Sequence, residues 1–244
     1  MKLALAYFQA ETLQLLRIPF VFVASLLFPA LFFLILGLPN AHDSITATAI
    51  TLSFTVYAVI GIAFFQFGVG IAADRFSLWE QFLRTLPVVP LTRFTGRILT
   101  AMFFAFVAGG LVIMLGLLVS PARITSSQCI PLGIALLAGC IPFSLLGLAI
   151  GYWLTPQAAL PVANILYFVF GYCGGLWIPP QYLPSFIAAI SPYLPTRQYG
   201  ELVWSVVLNR PWPASPWFGL LLYSLFFGAM ALWGYKRDEG KKYS

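Results

Sequence analysis

Residues 74–97 read DRFSLWEQFLRTLPVVPLTRFTGR, and a long apolar run stands on either side of them. Asp74, Arg75, Glu80, Arg84, Arg93 and Arg97 place six of the chain's 13 basic and 7 acidic residues in this one stretch. Charge gathered between two membrane-length apolar runs marks a loop presented to something in the water. Within it, Ser77 and Glu80 have the spacing of a capping box. Pro87 ends the helix they open, because the residue before a proline is pushed out of the α region. Leu78, Trp79, Phe82, Leu83 and Leu86 fall on one face, and Glu80, Gln81, Arg84 and Thr85 on the other, which is the 3.6-residue period of an amphipathic helix. The helix predicted over 77–86 is about 15 Å long, too short to cross a bilayer. It either lies in the headgroup layer or docks in a partner's groove.

Composition sets the class. The 244 residues are 61% hydrophobic and 8% charged, with mean hydropathy +0.92, whereas a soluble domain carries about 25% charged residues. The chain reads as one all-α integral membrane domain over 1–244, with no sizeable soluble part. Its net charge of +6 is explained by the bias of basic residues toward the cytoplasmic side of a membrane protein, not by a nucleic acid. Cys129, Cys140 and Cys173 lie in or beside apolar runs, fit no metal spacing and predict no disulfide.

Taken in order, residues 1–17 carry Lys2, Gln9, Glu11, Gln14 and Arg17 at roughly helical spacing and predict an interfacial helix on the cytoplasmic leaflet. Glu11 and Arg17 break the run that a signal peptide needs, so no processing is expected. Spans are predicted at about 18–38, 45–73, 98–119, 129–153, 158–178 and 217–235. The second is longer than the roughly 20 residues a crossing needs. His42 and Asp43, in the turn before it, read as an ordinary polar loop and not a metal site. The fifth span holds Asn164, Tyr167 and Tyr172 with Gly171, Gly174 and Gly175, small residues that allow close helix approach. Residues 179–213 contain seven prolines and six of the chain's tryptophans and tyrosines if Trp177 is counted with them. They predict two short helices, 183–190 and 196–208, that dip into or re-enter the membrane, with Arg197 and Glu201 paired four apart.

Basic residues orient the chain. Lys2, Arg17, Arg75, Arg84, Arg93, Arg97, Lys236, Arg237, Lys241 and Lys242 fall on one side, and only Arg123, Arg197 and Arg210 on the other. Both termini and the central loop are therefore expected in the cytoplasm. No Lys, Arg, Asp, Glu or His sits mid-span, where proton-coupled carriers and pumps keep their relays. No HExxH, GxSxG or P-loop motif occurs, so no catalytic residue or metal ligand is assigned, and energy for any work must come from another chain.

On these features the chain resembles the permease subunits of type-2 ABC exporters (the ABC-2 membrane family), over nearly its whole length. The closest local match is LWEQFLRTLPV at 78–88, followed by the basic Arg93 and Arg97; LWIPPQYLPSFIAAISPYLPT at 176–196 is similar to the family's external re-entrant region. Phe76 and Ser77 depart from it, standing where the family often has an acidic residue and a glycine. The resemblance implies that residues 77–86 are a coupling helix held by a separate ABC ATPase, with Arg75, Leu78, Trp79, Glu80, Phe82, Leu83 and Arg84 as coupling residues. It implies two such ATPase subunits, which carry the ATP and Mg, and a second permease subunit, with the path at the interface in the inner membrane. This chain itself binds no cofactor. Gln66, Asn164 and Tyr167 are candidates for lining the path, or else simply bond neighbouring helices. The uncharged interior suits an apolar or amphipathic substrate: a drug, a lipid or a lipid-linked glycan. A membrane scaffold that recruits a cytoplasmic partner, or a carrier not driven by ATP, is the alternative reading.

Overall fold

The computed structural model describes residues 8–10, 12–13, 27–76 and 90–240, and among these every regular element is helical. Helix α1 is Leu27–Asn40, whose second half loosens into π and then 3-10 turns. Helix α2 is Ser44–Asp74. Asp43 starts it: its carboxylate accepts the backbone N–H groups of Ile45 and Thr46 at 3.0 and 3.1 Å, two of the donors a helix start leaves without partners. Helix α3 is Pro90–Val119, α4 is Ser126–Trp153, and α5 is Pro156–Cys173. The short α6, Ser185–Ile190, and α7, Pro195–Val207, precede the long α8, Ala214–Gly240.

Helix α2 is the centre of the bundle. In its most apolar stretch 78% of residues are buried, against 33% for α3 and 22% for α8. In a bilayer the exposed apolar faces of α3 and α8 are solvated by acyl chains, so burial there marks helix contact and not hydrophobicity. At 31 residues, α2 is about 46 Å long, longer than the roughly 30 Å hydrocarbon layer, as its overlong apolar run predicts. Its ladder widens into π turns over Ile62–Val69, a feature found most often at functional places. There α4 crosses it, and the approach is so close that a Cβ on Gly147 would lie 2.1 Å from the Ala63 carbonyl oxygen. Gly147 and Gly151 form a small-xxx-small pair, which the sequence reading did not single out.

Among the described residues four helices are long and apolar enough to cross a membrane: Ser44–Asp74, Thr95–Val119, Ser126–Trp153 and Ala214–Asp238. They coincide with the second, third, fourth and sixth predicted spans. The predicted fifth span is shorter than expected and starts earlier, with Pro156 in its first turn. It stops at Cys173 because Gly175 takes φ +77° and the chain folds back, Trp177 N–H bonding the Gly171 carbonyl at 3.3 Å. Of the predicted first span, residues 18–26 lie outside the described residues. So does the helix predicted over 77–86, and of the interfacial helix over 1–17 only 8–10 and 12–13 are described, as helix.

The proline-rich segment folds as two short helices near the predicted positions. In α7, Arg197 Nε meets Glu201 Oε1 at 2.8 Å. The buried Tyr199 donates its hydroxyl to the Leu136 carbonyl at 2.8 Å, while Gln128 reaches the Val206 carbonyl at 3.2 Å. The start of α7 therefore lies beside a point ten residues into α4, about 15 Å below that helix's first turn, and its end lies level with that turn.

Candidate functional site

The ends of α2, α3, α4 and α8 meet at one end of the bundle, where the charged stretch 74–97 leaves and returns. The last carbonyls of a helix have no partner within it, and those of α4 are met by Arg75, the residue after α2. Its Nη1 donates to the Tyr152 carbonyl at 2.7 Å and its Nη2 to the Leu154 carbonyl at 2.7 Å. A cation is also favoured there by the helix dipole. The same guanidinium pairs with Asp238 of α8 at 3.3 Å, with both side chains largely buried, and lies 4.8 Å from the centre of the Phe76 ring.

Arg97, near the start of α3, returns to the same place. Its Nη1 donates to the Tyr152 hydroxyl at 2.8 Å, and the residue is 7% exposed. Tyr152 thus takes Arg75 on its carbonyl and Arg97 on its hydroxyl. These two arginines bracket residues 76–96, so both stems of the charged stretch are bonded to one residue at the end of α4. Around it, the Tyr152 ring meets Tyr235 edge-on at 5.3 Å. Trp153 donates Nε1–H to the Met230 carbonyl at 2.8 Å, packs on Trp233 at 4.9 Å and lies under the Arg237 guanidinium at 5.3 Å. These contacts bind α8 to the end of α4.

Of the predicted coupling residues, Arg75 sits inside this clasp, 7% exposed, with its guanidinium turned onto the bundle. Leu78, Trp79, Glu80, Phe82, Leu83 and Arg84 lie outside the described residues. Of the three path candidates, Tyr167 is buried in the seam between α2 and α5. Its ring stacks on Tyr57 at 3.8 Å and its hydroxyl donates to the Tyr57 carbonyl at 3.1 Å. Gln66 lies in the π turns of α2 and is 7% exposed. Asn164 is half-buried on α5, one turn from Tyr167. The same seam holds Trp177, 5.4 Å from Tyr57 and 5.3 Å from Phe32. No group of three or more potential metal ligands occurs among the described residues, and the three cysteines are free.

The sequence reading missed Tyr152, Trp153 and Asp238. Two signals pointed to them: an aromatic pair at the end of an apolar run, the usual mark of a membrane interface, and the acidic pair Asp238–Glu239 among the basic residues of the tail.

No family model matches the chain. A match to a curated protein covers 156 residues at 23% identity: Putative transport permease YvfS of Bacillus subtilis (strain 168). The chain is similar to a transport permease. The match spans 64% of this chain and 64% of that relative's length. Together with the four long apolar helices among the described residues, the similarity points to a multi-pass membrane protein.

Proposed function

We propose that the chain is the membrane-spanning subunit of an ATP-driven exporter, the activity implied by its resemblance to type-2 ABC permeases. In this reading residues 77–86 are the coupling helix, held by one of two separate ATPase subunits that carry ATP and Mg. Six spans cross the inner membrane with both termini in the cytoplasm, and two permease subunits enclose the path between them.

The observation that carries the reading is the double hold on Tyr152. A loop bonded to α4 through both Arg75 and Arg97, and to α8 through Asp238, does not move alone. In this reading Arg75 and Arg97 pass a push on the coupling helix to the ends of α4 and α8. A chain with no nucleotide-binding motif of its own needs such a joint if energy arrives on a partner. The uncharged span interiors and the aromatic seam of Tyr57, Tyr167 and Trp177 suit an apolar or amphipathic substrate.

The test is purification of the tagged chain from its native host in mild detergent, with a photo-cross-linker at position 82. A stoichiometric P-loop ATPase, cross-linked from that position and hydrolysing ATP faster when reconstituted with the chain, is the expected result. No ATPase and no cross-link would leave a scaffold. Transport that survives ATP depletion and collapses with the proton gradient would make the chain a carrier instead.

A further inference from the structure

A cavity of about 370 Å³ opens between α3 and α4, with Val59 of α2 at its floor. It is a different place from the clasp, at the opposite end of the bundle. Its walls run from Ile124 and the exposed Cys129 to the buried Cys140, about 16 Å along α4. Two glycines shape it. A Cβ on Gly110 or on Gly133 would meet nothing within 4 Å, whereas one on the adjacent Gly109 would meet Thr55 at 3.0 Å. Gly109 thus packs α3 on α2, and Gly110 and Gly133 leave a slot open on the bilayer side.

The lining is apolar apart from the two thiols, so the slot has no partners for water. An apolar cavity of roughly 150 Å³ takes one benzene; by proportion this one takes on the order of a dozen carbon atoms. Its walls follow α4 for about three turns, the reach of an extended chain of that many carbons. Arg123 directly precedes the lining residue Ile124, in the turn joining α3 to α4. Its backbone N–H is fixed to Thr48 Oγ1 at 2.9 Å, while its side chain is exposed and in no ion pair among the described residues. An apolar slot with a cation next to one of its wall residues is complementary to an anionic amphiphile.

We propose that this slot is a binding site for one anionic phospholipid of the bilayer, with an acyl chain between α3 and α4 and its headgroup on Arg123. The lipid fills the gap at which the two helices part and holds them at that spacing. The site is independent of the exporter reading, because it asks only for a bilayer.

The full-length chain, reconstituted in nanodiscs of equimolar phosphatidylglycerol and phosphatidylcholine, is released into detergent and weighed by native mass spectrometry. One retained lipid per chain is expected, with phosphatidylglycerol preferred about five-fold, the preference that one arginine near a membrane surface supplies. Gly110→Leu with Gly133→Leu fills open space, so the variant folds and loses the retained lipid of both kinds. Arg123→Gln keeps a lipid but without preference. Equal retention by the double-leucine variant, or an unchanged preference in Arg123→Gln, overturns the proposal. So does a short cross-link between Cys129 of two copies in the absence of retained lipid, which would make the slot an interface between permease chains.

Discussion

Tyr152 is bonded through both of its oxygens, and each bond has a separable cost. Tyr152→Phe removes an acceptor of Arg97 and leaves the carbonyl bonded to Arg75. A hydrogen bond to a charged group contributes about 1.5–3 kcal/mol, and the variant should lose about that much stability. Arg75→Met takes a guanidinium from two helix-end carbonyls and from Asp238, and breaking a buried pair costs about 3–5 kcal/mol. Cys140 is 3% exposed, so the rate at which a thiol-reactive dye reaches it on heating measures both losses. If Arg75→Met were no less stable than Tyr152→Phe, Arg75 would not be the main fastening. Asp43 offers a pH reading at the other end. Hydrogen bonds from Thr46, side chain and backbone, hold its carboxyl below the ordinary value of 3.8. A lowered folded-state pKa means that its contribution is present above that value and is lost as pH falls through the lower, folded-state one. Asp43→Asn, which caps without titrating, should flatten the dependence of the melting temperature on pH below 4.

At the scale of elements, the crossing of α2 and α4 rests on the bare α-carbon of Gly147 against the π turns of α2. Gly147→Ala places a methyl where the Ala63 carbonyl now stands, and overpacking of this kind costs about 1–3 kcal/mol. Gly133→Ala, opening on empty space, should leave the melting temperature unchanged. A Gly147→Ala protein as stable as the parent would mean that the two helices part without penalty. The predicted coupling helix is tested by Phe82→Asp with Leu83→Asp. If its apolar face docks in an ATPase, the double variant inserts normally, while ATP hydrolysis continues without transport. Normal transport by a well-inserted variant would put that face on the chain's own spans. The shorter α5 shows where apolar patterning misleads. Residues 174–178 are as apolar as the helix before them, but Gly174, Gly175 and Pro179 turn the chain back, and hydropathy does not register φ.

For the whole molecule, the exposed surface of α8 carries Phe218, Leu221, Leu222, Leu225, Phe226 and Trp233, each more than half exposed, as a lipid-facing helix requires. Orientation is open to direct measurement. With Ser127→Cys in a chain whose Cys129 is serine, a membrane-impermeant maleimide should label intact cells, because the Arg123 turn is expected outside by the count of basic residues. Labelling only after lysis would invert the topology and place residues 77–86 where no ATPase is.

The positions of the four long helices, the two short helices of the proline-rich segment and the Arg197–Glu201 pair were legible in the sequence. Each depends on local patterning: run length, proline placement, or a four-residue spacing. What only the tertiary structure decided is which residues those segments bring together. Arg75 and Tyr152 are 77 residues apart, and Arg75 and Asp238 are 163 apart. In a chain so poor in charge, an arginine in a loop looks like surface whether it meets water or a helix end. Likewise, nothing in the sequence says that Tyr167 stacks on Tyr57, 110 residues away. Composition and periodicity report what each segment prefers as its solvent, while the partner of a polar group at a helix end depends on which other helix happens to finish beside it.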